Sequence, residues 1–179
     1  MSPEISGPKY VGVVGTIGQY VHGNQPSHHV AYLYNYAGMP WKTQERVRQV
    51  MELYRTGPGG LCGNEDMGSL SSWYVMSAMG LYPVCPGQNL YLIGTPLFEK
   101  ATIRLGSPYE AGAFTIQANQ VSAENKYIQS ATLNGEPITR SWLSHEEIIR
   151  GGTLIFEMGA EPNPEWGSSV GDIPPSMTR

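Results

Sequence analysis

The sequence is short of charge, of cysteine and of phenylalanine, and each shortage excludes something. Only 15% of its 179 residues are charged, and a net charge of −4 comes with no Lys/Arg cluster. Nothing in it could track a phosphate backbone, so nucleic acid is not an expected partner. Cys62 and Cys85 are the only cysteines, too few for a disulfide framework or a zinc site, and both are expected to be free and buried. No apolar run approaches the roughly 18 residues that a membrane span needs. Met1-Ser2-Pro3-Glu4 lacks the basic start and apolar stretch of a signal peptide. Internal repeats are absent too.

What the chain does have is glycine, proline and a lopsided aromatic set. The 22 Gly and 14 Pro imply many turns and shaped loops, and 11 Tyr with four Trp stand against three Phe. Tyr and Trp join a flat apolar face to a polar handle, which suits both core packing and the gripping of sugars. A chain of this length can bury one good core or two small ones.

The pattern changes character near Pro83, which divides residues 1–82 from 83–161. Before it, apolar residues recur at helical spacing. Ser27 stands where an N-cap would, followed by Val30, Leu33, Tyr34 and Ala37, with Gly38 as a stop. A second helix is expected from Trp41 to Arg55, ended by Gly57-Pro58-Gly59-Gly60, and a third from Asp66 to Met79. The third has no charged face, so it should be packed among others. After Pro83 the period becomes two. Leu90–Ile93, Ala101–Leu105, Phe114–Ala118, Tyr127–Leu133 and Leu154–Met158 read as strands, and Asn134-Gly135 marks a hairpin. Residues 162–179, rich in Pro, Gly and Ser, are expected to form an extended tail. The fold class is therefore α+β, helices first and an antiparallel β region after. Three helices with so much apolar surface make an incomplete layer, and the chain reads as the end of something larger.

Two segments concentrate polar chemistry. Glycines surround Asn64-Glu65-Asp66, so that two adjacent carboxylates stand at the start of the third helix. An ionised carboxylate held there can take a proton from water. The plainer alternative is that Asp66 caps the helix and Glu65 adds a favourable dipole term, together about 1 kcal/mol. The other segment, Tyr20 to His29, stacks amides and imidazoles at the mouth of the first helix. Its amide oxygens suit a hard cation such as calcium. Zinc fits less well, because adjacent His28 and His29 point to different sides of a helix and no thiolate lies nearby. The alternative is again structural: Asn24 and Ser27 as caps and the histidines bonded to backbone. His145, alone in the β half, reads as structural.

Taken together, Gly23-Asn24-Gln25-Pro26-Ser27-His28-His29, Tyr34-Asn35-Tyr36-Ala37-Gly38, Pro40-Trp41-Lys42-Thr43-Gln44 and Gly63-Asn64-Glu65-Asp66-Met67-Gly68 resemble glycoside hydrolase family 92. Ser72-Trp73-Tyr74-Val75, Tyr82-Pro83-Val84-Cys85-Pro86-Gly87, Tyr127-Ile128-Gln129 and Leu133-Asn134-Gly135 extend the likeness in order along the chain. The resemblance implies a calcium-dependent, inverting, exo-acting α-mannosidase, bacterial and exported, acting on mannosides of N-glycans or mannans. It implies that residues 1–82 are the last helices of an (α/α) barrel and that an N-terminal β-sandwich and the rest of the barrel are partners supplied by a longer parent. Asp66, with Glu65 beside it, matches the base-bearing loop. Asn24 and Gln25 fall where calcium ligation is expected, and His22, His28 and His29 border the sugar. The family usually shows Glu where this sequence has Gln25.

Inverting hydrolysis needs two carboxyl groups about 6.5–9.5 Å apart on opposite faces of the sugar, which adjacent residues cannot provide. The resemblance puts the general acid upstream of Met1, and this chain alone is expected to be inactive. Two other classes stay open: a non-catalytic carbohydrate-binding or structural module, and a glycoside phosphorylase. The phosphorylase would need an anion site for which no basic cluster exists.

Overall fold

The computed structural model describes residues 14–109 and 112–176. The reading of Met1–Glu4 and the last three residues of the expected tail lie outside them. The first element among the described residues is a small antiparallel hairpin, β1 (Thr16–Ile17) and β2 (Tyr20–Val21). Two single 3-10 turns, Gln25–Ser27 and Val30–Tyr32, lead into α1 (Leu33–Tyr36). The continuous helix expected from Ser27 is therefore broken. The side chains along it serve distant partners. Tyr32 donates its hydroxyl to Ser77 at 2.8 Å, and Asn35 is buried against the later strands.

Helix α2 (Pro40–Met51) buries Val47, Val50 and Met51. It stops short of Arg55 because Leu53 and Tyr54 donate to Val50 and Met51, tightening the last turn. Helix α3 (Ser69–Ala78) starts three residues later than expected. Asp66, Met67 and Gly68 have φ of 38°, 62° and 82°, which no α-helix accommodates. The helix also has an open side. Leu70, Trp73, Ser77 and Ala78 are buried, but Val75 is 55% exposed and Met67, just before it, fully so.

The β half holds β3 (Leu81–Tyr82), β4 (Leu90–Ile93), β5 (Lys100–Arg104), β6 (Ala113–Asn119), β7 (Tyr127–Leu133), β8 (Glu136–Ile138), β9 (Trp142–Ser144), α4 (His145–Ile149) and β10 (Gly152–Gly159). Every expected strand is present. Asn134 and Gly135, at φ of 53° and 88°, make the tight β7–β8 turn that their pairing signals. The five-stranded sheet runs β5-β6-β10-β7-β8, and a second sheet runs β3-β4-β9 across Pro83. One expectation needs correction: β10 pairs with β6 in parallel, so the larger sheet is mixed. The chain crosses from β6 through the β7–β8 hairpin, β9 and α4 before it returns beside β6. Helix α4 escaped the sequence reading although Ser144 and Glu147 form a full capping box at its start.

One core lies under the larger sheet, around Phe114, Ile116, Ile128, Leu154 and Phe156. Another lies among the helices, around Tyr32, Val47, Trp73 and Leu92. The expected extended tail is not one. Trp166 is buried in the sheet core and donates Nε1 to the Ile138 carbonyl at 3.2 Å, while Asp172 accepts from Ser141 N at 3.1 Å. Both cysteines are free as expected, but Cys62 is half-buried and Cys85 exposed, because each sits in a loop rather than on a core-facing element. No helix among the described residues is long and apolar enough to cross a membrane.

Buried polar side chains tie the helices to the sheets. Asn35 Nδ2 donates to the carbonyls of Ile93 (2.9 Å) and Ser141 (3.1 Å), and Gln44 Oε1 accepts from Ile128 N at 3.0 Å. Arg48 donates to Pro96 and Ser122 carbonyls and to Thr95 Oγ1. Replacing Asn35 with Ala removes its bonds to both carbonyls and leaves the Ser141 carbonyl with Ile93 N at 2.9 Å, so urea denaturation should show a loss of about 1–3 kcal/mol. A loss within about 0.5 kcal/mol, the ordinary surface range, would mean that Asn35 does not hold the halves together.

Candidate active site

The two polar segments meet through their backbones. Gly15, Gly23 and Gly63 lie so close together that a β-carbon on Gly63 would run into the Gly23 backbone, and one on Gly15 or Gly23 would strike the Cys62 carbonyl. The stretch after β2 is laced to the start of the hairpin by His22 N to the Gly15 carbonyl (2.8 Å) and Gly23 N to the Val14 carbonyl (3.2 Å). Only residues without a side chain can pack at this distance. The approach sets Asn24-Gln25 beside Asn64-Glu65-Asp66, and Gln25 Nε2 donates to the Asn64 carbonyl at 3.0 Å.

Beneath this contact sits His22, fully buried. Its Nδ1 lies 2.7 Å from the Tyr20 hydroxyl and its Nε2 2.7 Å from the Tyr54 hydroxyl. Tyr54 spends its own proton on the Leu70 carbonyl at 3.1 Å, so it must accept from His22. The proton therefore rests on Nε2, and Nδ1 accepts from Tyr20. The ring also stacks on His28 at 4.7 Å and meets Trp73 edge-on at 4.2 Å. Burial, with the His28 ring close by, pushes its pKa down to about 3. A ring with both nitrogens engaged and no exposed surface has nothing left for a ligand, so His22 supports the site from below.

The other histidines divide. His28 is buried, its Nε2 donates to the His22 carbonyl at 3.2 Å, and its own carbonyl accepts from Trp73 Nε1 at 3.1 Å. Burial lowers its pKa as well. His29 is exposed, with no side-chain partner among the described residues. His145 is far along the chain on α4, where Nδ1 faces the Tyr91 hydroxyl at 3.3 Å.

The acidic pair also divides its labour, and here the capping alternative is corrected. Asp66 does not cap α3. The N-cap position is Gly68, and it is Glu65 that reaches the helix: its carbonyl accepts from Ser69 N at 2.9 Å, and its Oε1 accepts from Ser71 N, in the helix's first turn, at 3.3 Å. Asp66 follows in left-handed backbone, exposed, and its carboxylate has no hydrogen bond or ion pair among the described residues. Asp is one of the few residues that tolerates such a backbone, and strain of this kind gathers where function holds a side chain in place.

The donors suit a hard cation. Gln25 spends its amide nitrogen on Asn64, which leaves Oε1 free. Asn24 is exposed and its side chain makes no cap bond, and Glu65 Oε2 is a buried oxygen with no partner among the described residues. These oxygens, with the Asp66 carboxylate, fit calcium in kind, though they supply only part of the six to eight ligands it takes. Among the described residues no three of His, Cys, Asp and Glu gather as a metal site would require. Next to α3, Tyr54, Arg55, Leu61, Ser71, Tyr74 and Val75 line an open cleft of about 340 Å³. Tyr54 and Gly15 were not singled out as site residues by sequence, and Tyr20 only as the first residue of its segment. The alternation Tyr20-Val21-His22 does put Tyr20 and His22 on one side of a strand, a local signal that could have paired them.

Because His22 is neutral in the fold and has an ordinary pKa near 6.5 when unfolded, acid favours the unfolded chain. Its contribution is whole above about pH 6.5 and falls by up to about 1.4 kcal/mol per pH unit below it. Urea titrations at pH 7 and pH 5 should differ by about 2 kcal/mol more in the native protein than in His22→Gln. Equal pH slopes would mean that the ring is open to protons.

The profile of the glycosyl hydrolase family 92 catalytic domain matches residues 7–160. A protein named "uncharacterized secreted glycosidase" from Arthroderma benhamiae is 39% identical over 158 residues, which are 87% of this chain and 20% of that protein. A family GH92 α-mannosidase from Bacteroides thetaiotaomicron, solved in complex with mannoimidazole, superposes with a TM-score of 0.90 at 36% identity, over 97% of this chain and 23% of its own. A family GH92 inverting mannosidase from Bacteroides thetaiotaomicron VPI-5482 superposes at 0.83 with 48% identity, over 90% and 22%. The chain thus spans about a fifth of the length of these relatives.

Proposed function

The chain belongs to glycosyl hydrolase family 92, and from that premise we propose that it supplies the base-bearing part of a calcium-dependent, inverting exo-α-mannosidase. The observation that carries this reading is Asp66: an exposed carboxylate in left-handed backbone, unpartnered among the described residues, one residue past Glu65 and next to the Gln25–Asn64 tie. The related α-mannosidase bound to mannoimidazole and the related inverting mannosidase support the substrate class, α-linked mannose oligosaccharides such as N-glycans or mannans.

In this reading Asp66 takes a proton from a water molecule. The hydroxide so formed attacks the anomeric carbon as the bond to the leaving oxygen breaks, and the configuration inverts. Calcium, when bound, holds vicinal sugar hydroxyls and helps the ring flatten toward an oxocarbenium-like shape. Asn24, Gln25 Oε1 and the acidic loop would hold it, with His29 at the open edge facing sugar and His22 and His28 beneath. Glu65, occupied with the helix, keeps the loop in place. The general acid comes from the part of the family fold that this chain does not match, and with it the remaining helices of an (α/α) barrel and an N-terminal β-sandwich. Residues 1–82 are then the last barrel helices, and the open side of α3 at Met67 and Val75 is where others would pack. The secreted description of the fungal relative favours an exported protein, secreted or periplasmic.

A chimaera tests this: the Bacteroides thetaiotaomicron α-mannosidase with its matched region replaced by this chain. Asp66→Asn should lower kcat by about 10²–10⁴-fold, the usual contribution of a general base, with little change in melting temperature. Glu65→Ala should instead cost about 1 kcal/mol of stability. Unchanged turnover in Asp66→Asn would leave the region as a structural or sugar-binding module.

A further inference from the structure

The stretch between Gly63 and Glu65 is anchored at both ends but not in the middle. Gly63 is fixed by its backbone approach to Gly23, and Glu65 by its bonds to Ser69 and Ser71. Asn64 lies between them, exposed, and its carbonyl accepts from Gln25 Nε2. A peptide unit is planar, so fixing the Asn64 carbonyl also fixes the N–H of Glu65. That sets the plane from which the backbone turns into the left-handed run at Asp66.

We infer that Gln25 is a positioning residue: its amide latches the histidine-rich loop to the acidic loop, so that the Asp66 carboxylate is presented without a bound cation. The amide is the group that makes this possible. Gln offers a donor to Asn64 and keeps an oxygen for other use, whereas a carboxylate at the same place would set acceptor against acceptor. Such a carboxylate could join the loops only through a proton or a cation between them. The latch rests on the reading of Asp66 as the working carboxylate, but its mechanical part is independent of calcium.

Backbone NMR relaxation on the intact chain tests it, first with a chelator and then with millimolar calcium. With chelator, residues 64–67 of the native protein should have order parameters near about 0.85, as rigid backbone does. In Gln25→Glu and Gln25→Ala they should fall below about 0.6, with β7 and β10 unchanged. Calcium should stiffen the loop again in Gln25→Glu, whose carboxylate can ligate it, and not in Gln25→Ala. A rigid loop in chelated Gln25→Glu overturns the latch, as does loosening that spreads through β7 and β10. A loop loosened in both variants but untouched by calcium supports the latch and counts against the calcium reading instead.

Discussion

The site depends on one contact in which no side chain takes part. Gly15, Gly23 and Gly63 bring three stretches of backbone within a distance that any β-carbon would prevent. From this follow the nearness of Gln25 to Asn64 and the placement of the histidine-rich turn over the Tyr20–His22–Tyr54 cluster. Steric constraints of this kind are all-or-none in a way that hydrogen bonds are not. A lost hydrogen bond costs about 1 kcal/mol, but an added methyl between two backbones forces one of them to move.

Below the contact the chemistry is apolar and locked; above it, polar and open. Trp73, His22, His28 and Tyr54 form a dense aromatic group whose polar atoms are matched to one another or to nearby carbonyls. That group carries the loops as a rigid floor. On it, the two adjacent carboxylates take different environments: Glu65 is held by helix N–H groups, and Asp66 is turned out by three successive left-handed residues. Two neighbours in sequence thus have two environments, one tied to the helix and the other exposed and without a side-chain partner among the described residues.

Much of this was legible in the sequence, for reasons that differ by element. The strands were, because Phe114, Ile116 and Ala118 point inward and alternate with Thr115 and Gln117. Alternation reports which face is buried and not strand direction, so it could not reveal that β10 runs parallel to β6. Helix starts were less legible: Asp66 looks like a cap, and its left-handed backbone comes from tertiary packing rather than from its own preference. The return of residues 162–176 hinges on one large side chain, Trp166, among turn-forming residues, too sparse a pattern to register. At the site, the motif blocks marked both loops. The burial of His22 was not legible, because it depends on Tyr54, 32 residues away.

The central claim is that the glycine contact assembles a cation-binding pair of loops. A calorimetric calcium titration of the chain and of Gly63→Ala tests it most directly, with near-UV circular dichroism of the Trp73 environment as the check on folding. The native chain should bind one ion, and the folded variant should bind at least about tenfold more weakly, a difference of about 1.4 kcal/mol. Equal affinity in the two would show that the contact does not build the site, and no binding by the native chain would show that these two loops alone do not hold the ion.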